Sequence, residues 1–416
     1  MNILVVGSGA REHAICWKLK ESDKVEKIYC APGNAGISEI AECVHINADE
    51  LNKIVDFAAL NNVDMAVIGP EGPLVGGLAD MLLEKNIKVF GPMKNGARLE
   101  GSKSYSKEFM ERYNIPTAKY ECYTSAEKAL EGLKNFNMPV VVKADGLAAG
   151  KGVLICRTSE EAKEAIENIM NKKQFGKAGD TLVVEEFLEG TEASLLCFVD
   201  GKSIIPMESA RDYKKAYNDD LGLNTGGMGC FSPNSIYTEE LKKYIYDKIL
   251  RKTLKGLHEE HIDFRGVLFI GLMIKNNEAK VLEYNTRFGD PETEVILPRL
   301  KSDLADIMLK CIDGKLEEND LQWKEDNCVT VVLASGGYPN SYAKNKEITG
   351  LNDVEDVVIF HGGTRLKDGK ILTDGGRVMA VTALGKTLEE ARDKIYKSIN
   401  KIRFDAMEFR TDIAKL

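Results

Sequence analysis

The sequence lacks the features of an exported, membrane-bound or disulfide-stabilised protein. No apolar stretch approaches the ~20 residues that a membrane-spanning helix requires. The chain opens on the apolar run from Asn2 to Gly7, without the basic segment and cleavage site of a signal peptide. Its nine cysteines are an odd number and include no Cys-x-x-Cys pair. These absences predict a cytoplasmic protein whose thiols are reduced.

Positive charge is also scarce, because 56 lysines and arginines stand against 65 aspartates and glutamates. The resulting formal net charge of -9 argues against a broad face for nucleic acid or a membrane surface. The five histidines form no ligand-spaced set with the cysteines, which argues against a zinc site. We therefore expect the partners to be small molecules.

The length of 416 residues predicts about three domains. The first hundred residues alternate predicted strands and helices, which is typical of a parallel sheet with right-handed crossovers. We expect a Rossmann-like domain over residues 1–100, with helices at 11–19, 49–60 and 74–85. Ligands of such sheets bind beyond the carboxyl ends of the strands. Three loops lie there, at Gly7–Arg11, Gly33–Gly36 and Gly69–Gly72.

The remaining chain predicts two further regions. Residues 101–325 are expected to contain a compact α/β block over about 118–190 and a larger block with a long helix over 238–258. Residues 326–416 are expected to form a small C-terminal domain of strands followed by a helix. The predicted fold class is α/β, or α+β overall.

The segment from Leu282 to Glu292 carries the strongest chemical signal, because it follows a predicted β-hairpin. Side chains alternate along a strand, so Glu283, Asn285 and Arg287 are expected to share a face. A carboxylate and an amide oxygen suit Mg²⁺, which usually takes few protein ligands plus substrate phosphates. A guanidinium can grip a carboxylate or a phosphate. The alternative interpretation is a surface strand end with a salt bridge.

A second signal runs from Val141 to Val153. A strand ends at Lys143, a loop of small residues follows, and Lys151 precedes the next strand. Small residues let the backbone approach phosphates, and the two ammonium groups neutralise phosphate charge. Because Gly152 follows Lys151, the segment is not a Walker loop. A flexible glycine hairpin is the alternative.

Downstream, residues 182–190 are interpreted as a strand that runs into an exposed backbone edge. Such an edge can pair with an adenine, while Phe187 and Leu188 supply apolar faces and Glu192 can hold ribose hydroxyls. Edge strands with acidic ends are common, so this segment alone is a weak signal.

Two glycine loops add weaker signals. The segment Gly7 to Glu12 resembles the start of a dinucleotide fingerprint, but Glu12 stands where the third glycine is required. It favours a single-phosphate site, with Arg11 as a cation, over a nicotinamide site; a tight turn alone is the alternative. The loop Asn224–Gly229 follows a charged cluster and is either a ligand loop or a solvated turn.

Together these motifs resemble the ATP-grasp superfamily and, within it, the phosphoribosylamine–glycine ligase (glycinamide ribonucleotide synthetase) family of purine biosynthesis. The resemblance covers essentially the whole chain. The matching segments are residues 7–13, 31–36, 69–71, 99–103, 143–153, 224–229, 287–293, 336–339, 360–364 and 375–378. The resemblance implies an ATP-grasp fold with an N-terminal Rossmann-like parallel-sheet domain and a small C-terminal domain.

The implied reaction joins glycine to 5-phosphoribosylamine through glycyl phosphate, using ATP and Mg²⁺ or Mn²⁺. Its implied metal ligands are Glu283 and Asn285. The implied catalytic residues are Arg287, Asp212 and Asp290, of which the two aspartates are candidates for holding the glycine ammonium group. The implied ATP ligands are Lys103, Lys143, Gly150, Lys151, Gly152, Glu185, Glu186, Phe187, Leu188 and Glu192. The implied substrate ligands are Gly9, Arg11, Asn34, Glu71, Asn224, Gly226, Gly227, Gly289 and Asp290.

The family also implies a monomer and an ATP-grasp catalytic region over residues 101–325. A mobile flap over about 118–190 is expected to close over ATP, with Gly150 and Gly152 among its flexible points. The chain departs from the family pattern at Tyr213, where histidine is expected, at Thr286, where cysteine is common, and at Leu223, which replaces proline. We expect Thr286 to be neutral because it points away from the Glu283 face. We expect Tyr213 to change substrate affinity rather than abolish activity, since it removes a possible imidazole near the substrate.

Three other functions are compatible with parts of this pattern. The nearest is another ATP-grasp enzyme, such as a biotin-dependent or an aminoimidazole ribonucleotide carboxylase. An NAD-dependent oxidoreductase could use the N-terminal glycine loop, although its third glycine is missing. A non-catalytic nucleotide-binding protein is the third.

Overall fold

A computed structural model describes residues 1–148 and 151–415 of the chain. It shows a mixed α/β architecture with four sheets of four or more strands, which confirms the predicted class. Within the described residues, no helix is both long enough and apolar enough to cross a membrane.

The first sheet is fully parallel and has the strand order β3-β2-β1-β4-β5. Its elements are β1 Asn2–Gly7, α1 Ala10–Leu19, β2 Lys27–Pro32, β3 Glu42–Cys43, α2 Leu51–Leu60, β4 Met65–Ile68, α3 Glu71–Gly76, α4 Leu78–Leu83 and β5 Lys88–Phe90. The apolar run of β1 is fully buried, as expected for a sheet covered on both faces. Because the strand order reverses at β1, the loops after β1, β2 and β4 converge at one crevice.

The helix predicted over 74–85 is wrong in its bounds. The chain forms two helices, α3 and α4, which are separated by Gly77 at φ 90°. Glycine adopts this left-handed conformation without steric cost, and so it allows the break. Two further helices, α5 Lys94–Gly101 and α6 Lys103–Arg112, lead out of the first sheet.

The second sheet is antiparallel and has the order β6-β9-β7-β8. Its elements are β6 Tyr120–Tyr123, α7 Ala126–Gly132, β7 Val140–Ala144, β8 Val153–Cys156, α8 Ser159–Ile166 and β9 Leu182–Glu186. The strand predicted over residues 182–190 is shorter than expected, because β9 ends at Glu186 and hydrogen-bonds to strands on both sides. The residues 187–190 that follow it lie outside any strand, and Phe187, Glu189 and Gly190 are exposed. Burial of Leu182 to Glu185 fits an inner strand, and its apolar residues alone could not distinguish an inner position from an edge position.

The third sheet is also antiparallel and has the order β11-β10-β16-β17. In chain order this region contains β10 Thr191–Asp200, β11 Ile204–Pro206, β12 Arg211–Asp212, β13 Lys215–Tyr217, β14 Leu221–Asn224, β15 Gly229–Ser232, α9 Glu239–Ile245, α10 Arg251–Glu259, β16 Arg265–Lys275, β17 Glu278–Asn285, α11 Thr293–Ile296 and α12 Leu304–Asp313. The hairpin β16–β17 confirms the predicted strand pair. The predicted helix over 238–258 is observed as α9 and α10, joined by a π-helical turn at Tyr246–Leu250.

The last sheet draws strands from two regions of the chain. Its order is β12-β15-β18-β22-β19, so two strands from before residue 233 join those of the C-terminal region. The C-terminal elements are β18 Asn327–Ser335, β19 Val358–His361, β20 Thr364–Lys367, β21 Lys370–Thr373, β22 Arg377–Gly385, α13 Leu388–Ile399 and β23 Met407–Glu408. This exchange brings the loop after β14 against the C-terminal sheet.

Candidate active site

Two cavities lie close together between the sheets. The smaller, of about 190 Å³, lies between the second and third sheets and is called here the lysine cavity, because Lys103, Lys107, Lys143 and Lys214 line it. The larger, of about 1000 Å³, lies between the first sheet and the C-terminal sheet and is called the seam cavity. Asp290 lines both cavities, so chemistry that begins in one can be completed in the other.

The end of β17 brings the predicted metal ligands together. Glu283 and Asn285 both line the lysine cavity, as the alternation of side chains predicts. Burial by itself would raise the pKa of Glu283, but the ammonium groups of Lys214, Lys143 and Lys103 outweigh it and lower that pKa. The carboxylate is therefore held ionised, which is the form that binds a cation.

The lysines of the lysine cavity are supplied by different elements. Lys103 is the first residue of α6, and its Nζ donates to the carbonyl of Gly146 at 3.1 Å. Burial lowers the pKa of Lys103, while Glu283 partly opposes that shift. Lys143 is the penultimate residue of β7 and pairs with Glu185 at 2.8 Å. Lys151 is exposed, and Gly150 lies outside the described residues.

A buried ionic chain lies behind Lys143. Glu185 is sandwiched between Lys143 and Lys107, with Lys107 Nζ 2.9 Å from its other oxygen. Lys107 Nζ also donates to Thr117 Oγ1 at 2.7 Å, and Thr117 Oγ1 donates to the carbonyl of Val281 at 2.7 Å. The chain of contacts thus connects the second sheet to β17, two residues before Glu283.

Arg287 is held by two carboxylates and one amide. Its Nη2 lies 2.9 Å from Glu100 Oε1 and donates to Asn285 Oδ1 at 3.3 Å, while its Nε lies 3.5 Å from Glu71 Oε2. Burial of Glu100 raises the pKa of that carboxyl, although Arg287 opposes the shift. Glu71 therefore lines the lysine cavity beside Arg287, whereas Gly9 and Asn34, expected to bind the same substrate, line the seam cavity.

Thr286 does point away from the Glu283 face, but it makes a buried contact that the expectation of neutrality did not include. Its backbone N–H donates to Glu100 Oε2 at 2.7 Å, and its hydroxyl lies 3.2 Å from the same oxygen. Thr286 thereby fixes the carboxylate that holds Arg287. Sequence alone gave no sign of this role, because Glu100 lies 186 residues away.

Asp212 ends β12 and Lys214 follows between β12 and β13; both side chains line the lysine cavity. Burial and the nearby Glu292 raise the pKa of Asp212 well above its usual range, against the opposing charge of Lys214. Tyr213 lies on the other face, where its hydroxyl accepts from the N–H of Ala414 at 3.1 Å. The expected effect of Tyr213 on substrate affinity therefore has no direct contact to support it, since its ring packs in the C-terminal core.

The seam cavity is closed at its inner end by Arg377 of β22. Arg377 Nη1 lies 2.9 Å from Asp290 Oδ1 and donates to the carbonyls of Gly226 and Asp290, both at 2.9 Å. Asn34 lines the same cavity and donates to the carbonyls of Ser8 and His361. These contacts hold the N-terminal and C-terminal sheets together around the cavity.

The carboxylate of Glu12 occupies the first glycine loop, Gly7–Arg11. Glu12 accepts from the N–H of Gly9 at 2.6 Å and from Arg11 Nε at 2.6 Å. Arg11 Nη1 donates to the carbonyl of Phe288 at 3.1 Å, and Arg11 is almost completely buried. The residue that replaces the third fingerprint glycine thus places its own carboxylate at the helix N-terminus, where the sequence predicted a phosphate.

The structure separates the other expected ATP ligands. Glu185 lines the lysine cavity, whereas Glu186, Phe187 and Leu188 line a neighbouring cleft of about 580 Å³. Glu192 faces Asp212 and Lys214 in a small recess. The expected adenosine ligands therefore lie around the lysine cavity rather than all within it.

The other glycines predicted to bind ligands lie where a side chain would collide with a neighbouring residue. Gly226 lines the lysine cavity, and a Cβ on Gly227 would meet Asp212 Oδ1 at 2.6 Å. A Cβ on Gly152 would approach Ala148 to 2.7 Å, and one on Gly289 would approach Glu292 to 2.4 Å. Asn224 pairs with Lys215 in the hairpin β13–β14, away from both cavities.

Sequence reasoning missed Glu100, Lys107, Lys214 and Arg377. Lys107 follows Lys103 by one helical turn, so the i,i+4 spacing could have indicated a second lysine on that face. Lys214 alternates with Asp212 and lies in a cluster too polar for a core strand. Glu100 had no such signal, because its partner Arg287 is distant in sequence.

Comparison with known proteins gives one consistent result. Residues 1–100, 101–293 and 328–416 match the N, ATP-grasp (A) and C domains of phosphoribosylglycinamide synthetase. The chain is 48% identical over 414 residues to phosphoribosylamine–glycine ligase of Caldanaerobacter subterraneus subsp. tengcongensis, covering 100% of this chain and 99% of that protein. The crystal structure of the Thermotoga maritima phosphoribosylamine–glycine ligase superposes with a TM-score of 0.89 at 37% identity, covering 99% of this chain and 100% of that one.

A more distant likeness concerns the fold alone. The biotin carboxylase domain of Hydrogenobacter thermophilus 2-oxoglutarate carboxylase, crystallised with magnesium ADP and bicarbonate, superposes with a TM-score of 0.75 at 17% identity. It covers 98% of this chain and 91% of that domain.

Proposed function

Because this chain belongs to the phosphoribosylglycinamide synthetase family, we propose that it joins glycine to 5-phosphoribosylamine at the expense of ATP. The products are glycinamide ribonucleotide, ADP and phosphate, and the enzyme is a carbon–nitrogen ligase of purine biosynthesis. The observation that supports this most directly is the meeting of two cavities at Asp290. One cavity offers lysines for a nucleotide, and the other has room for a second substrate.

The first step takes place in the lysine cavity. A glycine carboxylate oxygen attacks the γ-phosphorus of ATP, which forms glycyl phosphate and releases ADP. Lys103, Lys143 and Lys151 offset the phosphate charge, and Arg287 stabilises the transferring group or clamps the glycine carboxylate. Catalysis then depends on positioning and charge, because the protein supplies no nucleophile.

The second step joins the two cavities. The amine of phosphoribosylamine attacks the carbonyl carbon of glycyl phosphate, and the carbon–nitrogen bond forms as the carbon–oxygen bond to phosphate breaks. The leaving phosphate carries away the proton that the amine loses. Asp212 and Asp290 are assigned to the ammonium group of glycine, since both line the lysine cavity beside Gly226. Asn34 and Gly9 face the incoming phosphoribosylamine from the seam cavity.

The residues at the end of β17 fit a divalent cation. Glu283 supplies an ionised carboxylate and Asn285 supplies an amide oxygen; Mg²⁺ typically adds phosphate oxygens and water to so few protein ligands. Within the described residues there is no group of three or more His, Cys, Asp or Glu side chains that could hold a metal by itself. A cation bound by Glu283 and Asn285 would neutralise phosphate charge during transfer.

The test measures products rather than ATP hydrolysis alone. Purified protein with Mg·ATP, glycine and freshly made phosphoribosylamine should form glycinamide ribonucleotide, whereas bicarbonate in place of glycine should not give a product. Arg287→Ala should lose this activity. Arg251→Ala, which removes an exposed guanidinium from α10, should keep it. ADP release that requires bicarbonate would overturn the substrate assignment and favour a carboxylase.

A further inference from the structure

We propose that Arg365 of β20 binds the phosphate of the phosphoribosyl substrate at the outer part of the seam cavity. The inference rests on the proposed function, since it assigns a position to the phosphate of that same substrate. It departs from the sequence-based expectation, which placed a phosphate at the first glycine loop beside Arg11.

The first glycine loop is already occupied by a carboxylate. Glu12 accepts hydrogen bonds from the N–H of Gly9 and from Arg11 Nε, so two donors of this loop are already used. A Cβ on Gly7 or on Gly69 would lie 2.6 Å or 2.0 Å from atoms of Glu12, so its side chain fills the space between these loops. A second anion at this point would meet a buried like charge.

The other charges that line the seam cavity are neutralised in pairs. Glu42 pairs with Lys27 at 2.7 Å, Asp374 with Lys344 at 3.4 Å, and Asp290 with Arg377 at 2.9 Å. Arg377 is further committed to two backbone carbonyls. In the described part of the chain, two arginines and no lysine line this cavity. Among the described residues, Arg377 has a carboxylate partner and Arg365 has none.

The guanidinium of Arg365 is fixed on one side and available on the other. Its Nε donates to Asn345 Oδ1 at 3.1 Å, and its Nη2 donates to the same oxygen. In the described structure Nη1 has no hydrogen-bond partner. A held guanidinium with an open side is suited to a phosphate, which accepts charge-assisted hydrogen bonds from Arg.

The position of Arg365 relative to the reacting end is also suitable. Gly363 donates its N–H to the carbonyl of Arg377 at 2.9 Å, and Arg377 binds Asp290. Arg365 lies two residues further along the chain, or about 7 Å at the rise of a strand. A phosphorylated pentose with its amine toward Asp290 would therefore direct its phosphate outward along β20.

Calorimetric titration with ribose 5-phosphate and with ribose tests this assignment on the full chain. Arg365→Ala should weaken ribose 5-phosphate binding by about 10- to 100-fold, as expected for the loss of charged hydrogen bonds. The ribose 5-phosphate affinity of Arg365→Lys should lie between those of the unmodified protein and Arg365→Ala. Binding of ribose should be the same in all three proteins. Lys367→Ala, which removes an exposed cation from the same hairpin, is the matched control and should bind as the unmodified protein does.

Steady-state kinetics separate this inference from the function on which it rests. In Arg365→Ala the KM for phosphoribosylamine should rise, while the KM values for ATP and glycine stay unchanged. Unaltered ribose 5-phosphate binding in Arg365→Ala would overturn the phosphate assignment, even if the unmodified protein makes glycinamide ribonucleotide. Arg365-dependent binding without that product would instead retain the phosphate site and reject the proposed reaction. An equal loss in Lys367→Ala would also overturn the assignment, because it would indicate a general charge effect.

Discussion

At the scale of single residues, the proposed catalytic groups are held by side chains packed behind them. Thr286 contacts Glu100, Glu100 pairs with Arg287, and Arg287 donates to Asn285, the proposed metal ligand. Buried polar groups of this kind are costly when a partner is lost. Residues behind the proposed catalytic groups should therefore respond to conservative changes.

The hydroxyl of Thr286 provides such a test. Thr286→Val keeps the shape and the backbone N–H but leaves Glu100 with one hydrogen bond fewer. We expect kcat to fall about two- to tenfold, which corresponds to one hydrogen bond. Thr286→Ser should retain full activity in the same assay. Equal activity of the Val and Ser variants would show that the hydroxyl does not contribute.

Lys107 is the second residue-scale prediction. Its side chain is 2% exposed, and burial lowers its pKa to about 8 although Glu185 opposes that shift. Lys107→Met should release Glu185 from one side, destabilise the fold by about 3 kcal/mol and raise the KM for ATP about tenfold. Denaturant unfolding and ATP kinetics measure the two effects.

The exposed Lys128 of α7 supplies the control for that experiment, because Lys128→Met removes an ammonium group from the same region without a buried partner. If Lys107→Met lost stability but kept its KM for ATP, Lys107 would be a purely structural residue. The proposed positioning of Lys143 through Glu185 would then be wrong.

At the scale of elements, a single backbone angle decides how the chain leaves the first sheet. Gly77 separates α3 from α4 at φ 90°, and this break makes one predicted helix into two. The periodicity of apolar residues continues across the break, because both helices bury residues against the same sheet. Hydrophobic pattern therefore could not reveal it, although glycine permitted it.

Two alanine substitutions in this element should change the free energy of unfolding in opposite directions. Gly77→Ala forces a Cβ into the left-handed region and should lower the free energy of unfolding by about 1 kcal/mol or more. Gly72 lies within α3, and a Cβ there would meet no atom within 4 Å. Gly72→Ala should therefore raise the free energy of unfolding by about 0.5–1 kcal/mol. Urea titrations of both variants check this, and a shift of the same sign would contradict it.

At the scale of the whole molecule, the seam between the first and last sheets contains two buried histidines. His13 of α1 accepts, through Nδ1, the N–H of His361 of β19 at 2.8 Å. Burial lowers the pKa of His13 to about 3 and that of His361 to about 4. Both histidines are therefore neutral at pH 7, because their buried positions disfavour the protonated form.

These shifts give the molecule an acid-sensitive seam. A histidine whose pKa is lower in the folded state adds stability above its unfolded pKa of about 6.5, and that stability is lost as the pH falls toward 4. Each histidine should contribute about 1.4 kcal/mol per pH unit over that window. His13→Asn should therefore reduce the slope of the unfolding free energy against pH by about 1.4 kcal/mol per pH unit between pH 6 and pH 4.5.

The exposed His261 is the matched control, and its left-handed backbone tolerates asparagine. His261→Asn should leave the pH slope unchanged. An identical slope in His13→Asn and in the unmodified protein would show that the seam does not sense acid through this residue.

The amino-acid sequence determined the local elements and the chemistry of several site residues. Alternation along β17 was enough to place Glu283, Asn285 and Arg287 on one face, because that pattern is local. The strand and helix rhythm of residues 1–100 was likewise enough to predict the parallel sheet. The assignment of individual ligands and the oligomeric state remain predictions.

Tertiary structure alone decided which residues from distant segments meet. Glu12 occupies the loop where a phosphate was expected, β9 lies inside its sheet, and Asp212 enters the site because β12 joins the C-terminal sheet. Each outcome depends on contacts between segments that are far apart in the chain or on a side chain's choice of partner. A periodic pattern records which face of an element is buried, but it does not record which element covers that face.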